Sequence, residues 1–207
     1  MKLKIIYEDE NLLVADKLAG VVADDIPKRV HRLDKDTSGV LLVAKNDEAL
    51  EFLQKQFQKR KVEKKYIALV VGNIKNQEGM IETLLGRSPK DRRKQKVYLP
   101  TEPSAKRTRL REAINKYRVL QRFKDYTLLE VEPQSGRKHQ IRAHLAYLGN
   151  PIAGDKLYGF KNQPCPKGLN RQFLHARYLK IKLMDGKEKE FKSDLPKDLK
   201  NVIEKLK

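Results

Sequence analysis

Short apolar runs bounded by turn residues are the feature that most limits the fold of this chain. The run VLLVA at 40–44 is long enough for a buried strand and too short for a core helix. The segments KIIYEDENLLVADK (4–17) and YLKIKLMDGKEKEF (178–191) each place a polar turn between two such runs, which is typical of a β-hairpin. The pattern therefore predicts a sheet built largely from antiparallel neighbours.

Three further segments have the β-branched and aromatic composition of strands: KKYIALVVG (64–72), AINKYRVLQRF (113–123) and YTLLEVEP (126–133). Apolar residues at helical spacing are rarer in this sequence than strand-like runs. One helix is predicted after the N-cap Asn46, one between Gly136 and Gly149, and one after a cap at Ser193 or Asp194. Their predicted inward residues are Leu50, Leu53 and Phe57, then Ile141, Leu145 and Leu148, then Leu199, Val202, Ile203 and Leu206. These elements predict an α+β fold with a largely antiparallel, mixed β-sheet and flanking helices.

Basic residues dominate the charge of the chain. The 207 residues have a formal net charge of +19, an excess that a polyanionic partner explains, and nucleic acid is the commonest such partner. A lysine-rich bias of the whole proteome is the alternative. The excess is densest at about 87–111, where ten basic side chains accompany two acidic ones and three prolines oppose a regular helix. We predict that this segment, the basic arm, is extended or hairpin-like and contacts phosphate groups. An ordinary solvated loop is the alternative.

The residues argue against several cofactor sites. GNPIAGDK (149–156) almost matches a phosphate-binding P-loop, but Asp155 stands where that motif needs lysine. No glycine-rich turn follows a strand as in dinucleotide or methyl-donor sites, and His139 and His144 have poor spacing for a metal. The single Cys165 cannot form an internal disulfide. With no signal-like N-terminus and no apolar run of bilayer length, the sequence predicts a cytoplasmic protein without membrane, metal or cofactor.

A charged stretch, HRLDKDTSG at 31–39, directly precedes the apolar residues of the run at 40–44. Asp34 stands between Arg32 and Lys35, and cationic neighbours keep a carboxylate ionised. Such a carboxylate can act as a base, a nucleophile or an electrostatic stabiliser without any cofactor. Arg142, on the second predicted helix, could bring another cation to it across a cleft. From the residues alone, a structural ion pair is as good an interpretation as catalysis.

Four blocks of this sequence resemble the RluA-type pseudouridine synthases. They are HRLDKDTSG (31–39), KKYIALVVG (64–72), SGRKHQIRAHLAYLGNPIAGDKLYG (135–159) and RQFLHARYLKI (171–181), in the family's order and across most of the chain. The resemblance implies the pseudouridine synthase fold with a central catalytic cleft, as one catalytic domain over 1–207 without the S4-like RNA-binding domain of many relatives. It also implies a monomer that isomerises uridine in ribosomal or transfer RNA without metal, nucleotide or redox cofactor.

Carried over residue by residue, the resemblance makes Asp34 the catalytic aspartate and Arg142 the arginine that pairs with it. Tyr66 matches the tyrosine that stacks on the target base and assists deprotonation of its C5 atom. Arg32 matches the arginine that fills the gap left by the flipped nucleotide. The predicted RNA-binding residues are Arg32, Lys35, Arg92, Arg93, Lys94, Arg137 and Lys138. Asp36, Thr37 and Ser38 are expected to fix the turn through local hydrogen bonds.

This chain departs from the family where Leu18 and Lys138 replace the usual proline and threonine, and where the link from Gly20 to His31 is short. We expect these changes to affect the choice of RNA rather than the chemistry. A non-catalytic RNA-binding protein on the same fold is the second hypothesis, and the complete catalytic set argues against it. An RNA methyltransferase is the third, and it lacks a donor-binding motif.

Overall fold

The computed structural model describes residues 4–102 and 109–207. The chain divides into two compact units, the first formed by Met1–Tyr66 and Leu174–Lys200 and the second by Ile67–Phe173 and Asn201–Lys207. The predicted single catalytic domain over 1–207 stays a prediction. Residues 103–108 of the basic arm lie outside the described residues.

Strands are the main elements of both units. In chain order the elements are β1 (Lys4–Glu8), β2 (Leu12–Lys17), a 3-10 turn (Ala23–Asp25), β3 (Ser38–Ala44), α1 (Asp47–Gln58), β4 (Glu63–Val71), β5 (Glu78–Arg87), β6 (Gln95–Tyr98), β7 (Arg111–Arg122), β8 (Tyr126–Pro133), α2 (Gln140–Tyr147), β9 (Leu174–Lys182), β10 (Glu188–Lys192) and α3 (Lys197–Leu206). β4 begins in the first unit, where Tyr66 is its last residue, and ends in the second. The predicted α+β class with a largely antiparallel sheet is confirmed.

The sheet of the first unit has the strand order β1–β2–β3–β9, and β10 also pairs with β9. β1–β2 and β9–β10 are antiparallel, so both predicted hairpins are confirmed. In the first hairpin the Asp9 carboxylate accepts hydrogen bonds from the backbone N–H groups of Asn11 (2.8 Å) and Leu12 (2.7 Å). This local bonding fixes the turn and with it the pairing of the two strands.

The parallel pairing of β3 with β9 requires a glycine at position 39. Ser38 lies opposite His175, and Gly39 lies opposite Ala176. The φ angle of Gly39 is +117°, and an added Cβ atom would lie 2.1 Å from the carbonyl oxygen of Ala176. A side chain here would therefore force the strands apart at the point where the charged stretch enters the sheet.

Helix α1 packs on the core of the first unit. Its predicted cap is confirmed, because the Asn46 side-chain oxygen accepts a hydrogen bond from the N–H group of Ala49 at 2.8 Å. Leu53 is buried, and Leu50 and Phe57 are partly buried against side chains of β2, β3 and β9. Full burial of one such leucine contributes about 2 kcal/mol. The helix therefore gives the strands around the charged stretch a firm support.

The sheet of the second unit has the strand order β4–β8–β7–β5–β6. β7 pairs antiparallel with both β5 and β8. β5 and β6 form an antiparallel hairpin in which Arg87 lies opposite Gln95. The described beginning of the basic arm therefore belongs to a hairpin, and the predicted arm over about 87–111 stays a prediction.

Helix α2 ends in a Schellman arrangement. Gly149, with a φ angle of +82°, donates its N–H to the carbonyl of Ala146 (3.0 Å), and Asn150 donates to the carbonyl of Leu145 (3.0 Å). Ile141 and Leu145 are buried as predicted, but Leu148 is 40% exposed, so its predicted inward position is wrong. Leu148 is the C-cap, where the chain already turns away from the helix.

Helix α3 begins at Lys197, so the predicted cap at Ser193 or Asp194 is wrong. The Ser193 hydroxyl instead donates to the Asp16 carboxylate at 2.8 Å. The inward face agrees with the prediction: Leu199 and Val202 are buried, and Ile203 and Leu206 are half-buried. Within the described ranges, the helices are too short or too polar to cross a membrane.

Candidate active site

The charged stretch is anchored to the core by a neutral histidine. Nε2 of His31 accepts a hydrogen bond from the N–H of Leu42 at 3.2 Å, and the imidazole stacks on Phe57 with ring centroids 4.8 Å apart. Burial, with a contribution from the Lys64 ammonium, lowers the pKa of His31 to about 3. The ring is therefore uncharged near pH 7, which removes the cost of placing an imidazolium against the core.

Asp34 is half-buried between two buried anchors, Leu33 and Thr37. Leu33 packs in a cluster with Leu41 of β3, and the N–H of Thr37 donates to the carbonyl of Asp34 at 3.0 Å. Thr37 therefore supports the turn locally, as predicted. The backbone of Asp34 is fixed on a firm element while the residue remains partly accessible, as a reactive carboxylate requires.

A fully buried lysine supports the Asp34 turn, and the sequence analysis assigned it no role. Nζ of Lys17 donates to the backbone carbonyls of Leu18 (3.0 Å), Val21 (2.9 Å) and Lys35 (3.0 Å). The N–H of Gly20 donates to the same Lys35 carbonyl at 2.9 Å. These bonds join the segment 18–21 to the residue that follows Asp34. Lysine is rarely buried, so its residue type gave no signal of this role.

Tyr66 lies in the same unit as Asp34 and packs against the cluster that contains Leu33. Burial first, and the Asp34 carboxylate second, raise the pKa of Tyr66. The structure thus brings Asp34 and Tyr66 within electrostatic reach of each other. Because its pKa is raised, the phenol keeps its proton near pH 7 and offers a stacking surface and a hydrogen-bond donor.

Ser38 makes a long-range contact. Its hydroxyl lies 3.0 Å from Nδ1 of His175 on β9, and Nε2 of His175 lies 3.0 Å from the carbonyl oxygen of Ser193. A carbonyl only accepts, so Nε2 holds the proton and Nδ1 accepts from Ser38. The link ties the start of β3 to β9 across 137 sequence positions, a distance over which no local turn signal acts.

Arg142 lies on α2 in the second unit, and its predicted pairing with Asp34 stays a prediction. Its guanidinium makes a bidentate contact with Asp155: Nε lies 2.7 Å from Oδ2, and Nη2 lies 2.9 Å from Oδ1. Both side chains are buried. The guanidinium carbon also lies 5.1 Å from the ring centre of Tyr158. Arg142 is therefore held in one orientation.

Asp155, which stands at the lysine position of the near-match to a P-loop, is the buried partner of Arg142. Burial alone would raise the pKa of its carboxyl, but Arg142 and two backbone N–H groups lower this pKa overall. Those N–H groups belong to Leu157 (2.9 Å) and Tyr158 (3.0 Å). Asp155 therefore stays ionised and fixes both the arginine and the turn that follows it.

A buried polar network seats α2 on the sheet of the second unit. Nε2 of His144 lies 3.0 Å from the Thr83 hydroxyl, and Nδ1 lies 3.0 Å from the Asn115 amide nitrogen. An amide nitrogen only donates, so Nδ1 accepts and Nε2 holds the proton. The network continues through Gln140, which donates to the Asn115 oxygen at 2.8 Å. Burial lowers the pKa of His144 to about 4, so the neutral ring is the form that positions the helix of Arg142.

The predicted RNA-binding residues of the first unit are exposed. Arg32 forms an ion pair with Asp24 at 3.5 Å, and Lys35 follows Asp34 on the surface. Exposed ion pairs of this kind are worth at most about 1 kcal/mol. The Asp24 contact therefore does not prevent Arg32 from moving to a nucleic-acid ligand.

In the second unit, Arg92 and Lys138 are exposed and Lys94 is half-buried. Arg93 pairs with Asp91 through Nε (3.0 Å) and Nη2 (2.9 Å). Arg137 donates its Nε–H to the Glu112 carbonyl at 3.0 Å. Within residues 4–102 and 109–207, no group of three or more His, Cys, Asp or Glu side chains is arranged to hold a metal ion. The expected independence from metals and cofactors stays a prediction.

A known protein family matches this chain over most of its length. The family model for RNA pseudouridylate synthase matches residues 10–147, a range that includes Asp34, Tyr66 and Arg142. The chain therefore belongs to the RNA pseudouridylate synthase family, whose activity is the isomerisation of uridine in RNA. The predicted family is confirmed.

Individual relatives support the same family membership. The chain is 37% identical over 234 residues to an uncharacterised RNA pseudouridine synthase of Bacillus subtilis, with 100% of this chain and 73% of the relative covered. It is 36% identical to ribosomal large subunit pseudouridine synthase D of Borreliella burgdorferi, with 93% of this chain and 65% of that relative covered. It is 43% identical to an uncharacterised RNA pseudouridine synthase of Chloroflexus aurantiacus, with 87% of this chain and 54% of that relative covered. The chain thus spans between about half and three quarters of these relatives.

A solved structure supports the fold. Human RNA pseudouridylate synthase domain containing 1 superposes with a TM-score of 0.84 at 27% sequence identity. The match covers 97% of this chain and 87% of the human chain. The predicted pseudouridine synthase fold is therefore confirmed.

Proposed function

We propose that this chain converts specific uridines of structured ribosomal or transfer RNA into pseudouridine, with Asp34 as the catalytic carboxylate and without a metal, nucleotide or redox cofactor. The observation that carries the proposal is the position of Asp34, half-buried on a fixed turn and electrostatically coupled to Tyr66. The name of the Borreliella burgdorferi relative supports large-subunit ribosomal RNA as a substrate. We further propose that the protein acts as a monomer in the cytoplasm.

The proposed reaction exchanges one bond of the uracil for another. The target nucleotide first leaves its stack, at a cost of a few kcal/mol, and Arg32 offsets part of this cost by filling the vacated space. The C1′–N1 bond then breaks, the uracil rotates, and a C1′–C5 bond forms. C5 loses a proton, and N1 gains one. Asp34 attacks the sugar, attacks the base or removes a sugar proton; the residues present are compatible with each.

Tyr66 is proposed to hold the everted base by stacking. Stacking of a base on an aromatic ring contributes about 1–3 kcal/mol, and the ring of Tyr66 packs in the cluster next to Asp34. Its raised pKa disfavours the phenolate that would be needed to accept the proton from C5. The structure therefore supports the stacking role of Tyr66 more than the proton-transfer role that the resemblance implies.

The decisive experiment replaces Asp34. An unmodified transcript of bacterial 23S ribosomal RNA, labelled with tritium at C5 of uridine, releases tritium when the isomerisation occurs. Asp34→Asn and Asp34→Ala should reduce this release to background, because the neutral side chains cannot act as base or nucleophile. RNA binding should be retained. Asp36→Asn, two residues along the same turn, is the control and should stay active.

Full activity of either Asp34 variant would refute the assignment of Asp34. The RNA substrate is identified separately, by mapping pseudouridine in total RNA from cells with and without the gene. Positions that lose pseudouridine only in the deletion strain, and regain it with wild type but not with Asp34→Asn, are the targets. A map without any difference would count against the proposed activity.

A further inference from the structure

The segment that follows Asp155 in the second unit presents an aromatic ring among cations. Phe160 is 54% exposed, and Lys156 and Lys161, which precede and follow it in the sequence, are exposed as well. Residues 156–173 include four lysine or arginine residues and no aspartate or glutamate, and the Asp155 side chain is buried in an ion pair. The segment around Phe160 is therefore positively charged, without an acidic side chain of its own to offset the cations.

Local hydrogen bonds fix the backbone that presents Phe160. The N–H of Gly159 donates to the carbonyl of Asp155 at 3.1 Å, and the N–H of Gln163 donates to the carbonyl of Phe160 at 3.1 Å. The Gln163 amide also donates to the carbonyl of Ile152 at 2.9 Å. It packs so closely on Gly159 that an added Cβ atom there would lie 2.4 Å from Oε1. A ligand that binds this fixed double turn therefore causes little loss of backbone entropy.

The hydroxyl of Tyr158 joins this turn to two other cationic segments of the second unit. It accepts a hydrogen bond from the N–H of Gln95 at 2.7 Å and lies 3.0 Å from Nδ1 of His139. Gln95 directly follows Lys94 of the basic arm, and His139 directly follows the exposed Lys138. Three segments that each include a cation therefore meet at one hydroxyl group, beside the turn that presents the exposed ring.

We propose that Phe160 stacks on an unpaired base of the RNA, while Lys156 and Lys161 bind neighbouring phosphate groups. This inference rests on the proposed function, since it assumes that the ligand is RNA. Unpaired RNA bases stack on aromatic side chains, and cations next to the ring bind the backbone. Duplex RNA would satisfy the cations but not the ring, because its base faces are already stacked. The combination therefore fits a single-stranded loop of the substrate.

A tryptophan substitution makes the stacking directly observable. The chain contains no tryptophan, so Phe160→Trp introduces a single indole whose fluorescence reports contact with a base. A single-stranded oligoribonucleotide of mixed sequence should quench this fluorescence at concentrations that saturate filter binding. Inorganic polyphosphate, which offers phosphate groups without bases, should leave the fluorescence nearly unchanged. No quenching by the bound single strand, or equal quenching by polyphosphate, would overturn the proposal.

Removal of the ring and removal of the charges should affect salt dependence differently. Phe160→Ala should raise the Kd of the unmodified 23S ribosomal RNA transcript about tenfold, as loss of one base–aromatic stack predicts. The slope of log Kd against log salt concentration should not change, because no charge is lost. Replacing Lys156 and Lys161 with Gln should lower that slope by about two. Tyr147→Ala, which removes another exposed aromatic ring of the second unit, is the matched control and should resemble wild type.

Conservative variants at position 160 separate stacking from simple apolar contact. Phe160→Tyr keeps an aromatic face and should retain the affinity of wild type. Phe160→Leu keeps an apolar side chain without an aromatic face and should resemble Phe160→Ala. Wild-type affinity in Phe160→Leu, or a Kd of Phe160→Ala within twofold of wild type, would contradict the stacking role. Because Phe160 is exposed, each variant should fold, and urea denaturation checks this.

The binding measurements separate this inference from the proposed function, since they require no turnover. Binding that depends on the ring, in a protein that releases no tritium, would support the stacking surface and refute the activity. Tritium release by wild type, with unaltered RNA affinity in Phe160→Ala, would support the activity and refute the stacking surface.

Discussion

The Arg142–Asp155 pair is a buried ion pair with two well-aligned hydrogen bonds. Pairs of this kind often contribute little net stability, because the attraction only repays the cost of removing both ions from water. Their value lies in geometry. A guanidinium bound through Nε and Nη2 has a fixed plane, and its remaining N–H groups have fixed directions. Asp155 therefore fixes the orientation of the Arg142 guanidinium.

Asp155→Asn should lower the free energy of unfolding by about 3 kcal/mol, because it leaves the buried guanidinium without its anion. Urea denaturation at pH 7 measures this change. Asp125→Asn is the control in the same unit, since Asp125 is exposed, and it should stay within about 0.5 kcal/mol of wild type. Equal effects of the two substitutions would show that Arg142 does not depend on Asp155.

At the scale of elements, the described beginning of the basic arm is a short hairpin with its loop between β5 and β6. Arg92 and Lys94 in this loop are not engaged in ion pairs within the described residues, whereas Arg93 pairs with Asp91. Arg93 can bind a phosphate only by giving up part of that contact. The three cations are therefore not equivalent, and Arg92 and Lys94 are expected to contribute most of the phosphate binding.

Replacing Arg92, Arg93 and Lys94 together with Gln should weaken RNA binding and lower the salt slope by about two, one for each cation that is readily available. The free energy of unfolding should change by less than about 1 kcal/mol, because the side chains are on the surface. Filter binding of the ribosomal transcript at several KCl concentrations measures the slope. The same change at the exposed Lys197, Lys200 and Lys205 of α3 is the control. An arm variant that retains the wild-type slope would identify the arm as an ordinary loop.

Elements with local signals were predicted correctly from the sequence. The hairpin closed by Asp9 and the helix capped by Asn46 each depend on contacts within a few residues. The local sequence is therefore sufficient to predict both elements. The parallel pairing of Gly39 with Ala176 could not be predicted, because it joins distant segments. The same limit applies to Asp155, whose partner Arg142 is thirteen residues away across a turn. The charge pattern singled out Asp34 and Arg142, but only the resemblance favoured catalysis over a structural ion pair and added Tyr66.

At the scale of the whole molecule, burial holds His31 of the first unit and His144 of the second in their neutral form. The pKa of His31 in the first unit is lowered to about 3, and that of His144 in the second to about 4. An unfolded histidine has a pKa near 6.5, so the unfolded state binds protons before the folded state does. The free energy of unfolding is therefore fully retained above about pH 7 and falls as the pH drops through 6.5. The decline continues to about pH 4 for His144 and to about pH 3 for His31.

Each such histidine lowers the free energy of unfolding by roughly 1.4 kcal/mol for each pH unit below 6.5. Between pH 7 and pH 5 we therefore expect a fall of about 2 kcal/mol from His144 and a somewhat smaller fall from half-buried His31. Carboxylates titrate mostly below this window, so histidines dominate it. Urea denaturation at pH 7, 6 and 5 measures the change. His144→Gln retains a neutral amide and should lose stability at pH 7, yet its stability should depend on pH about half as steeply as that of wild type. An equally steep decline in His144→Gln would mean that His144 is not the neutral, buried group that seats α2.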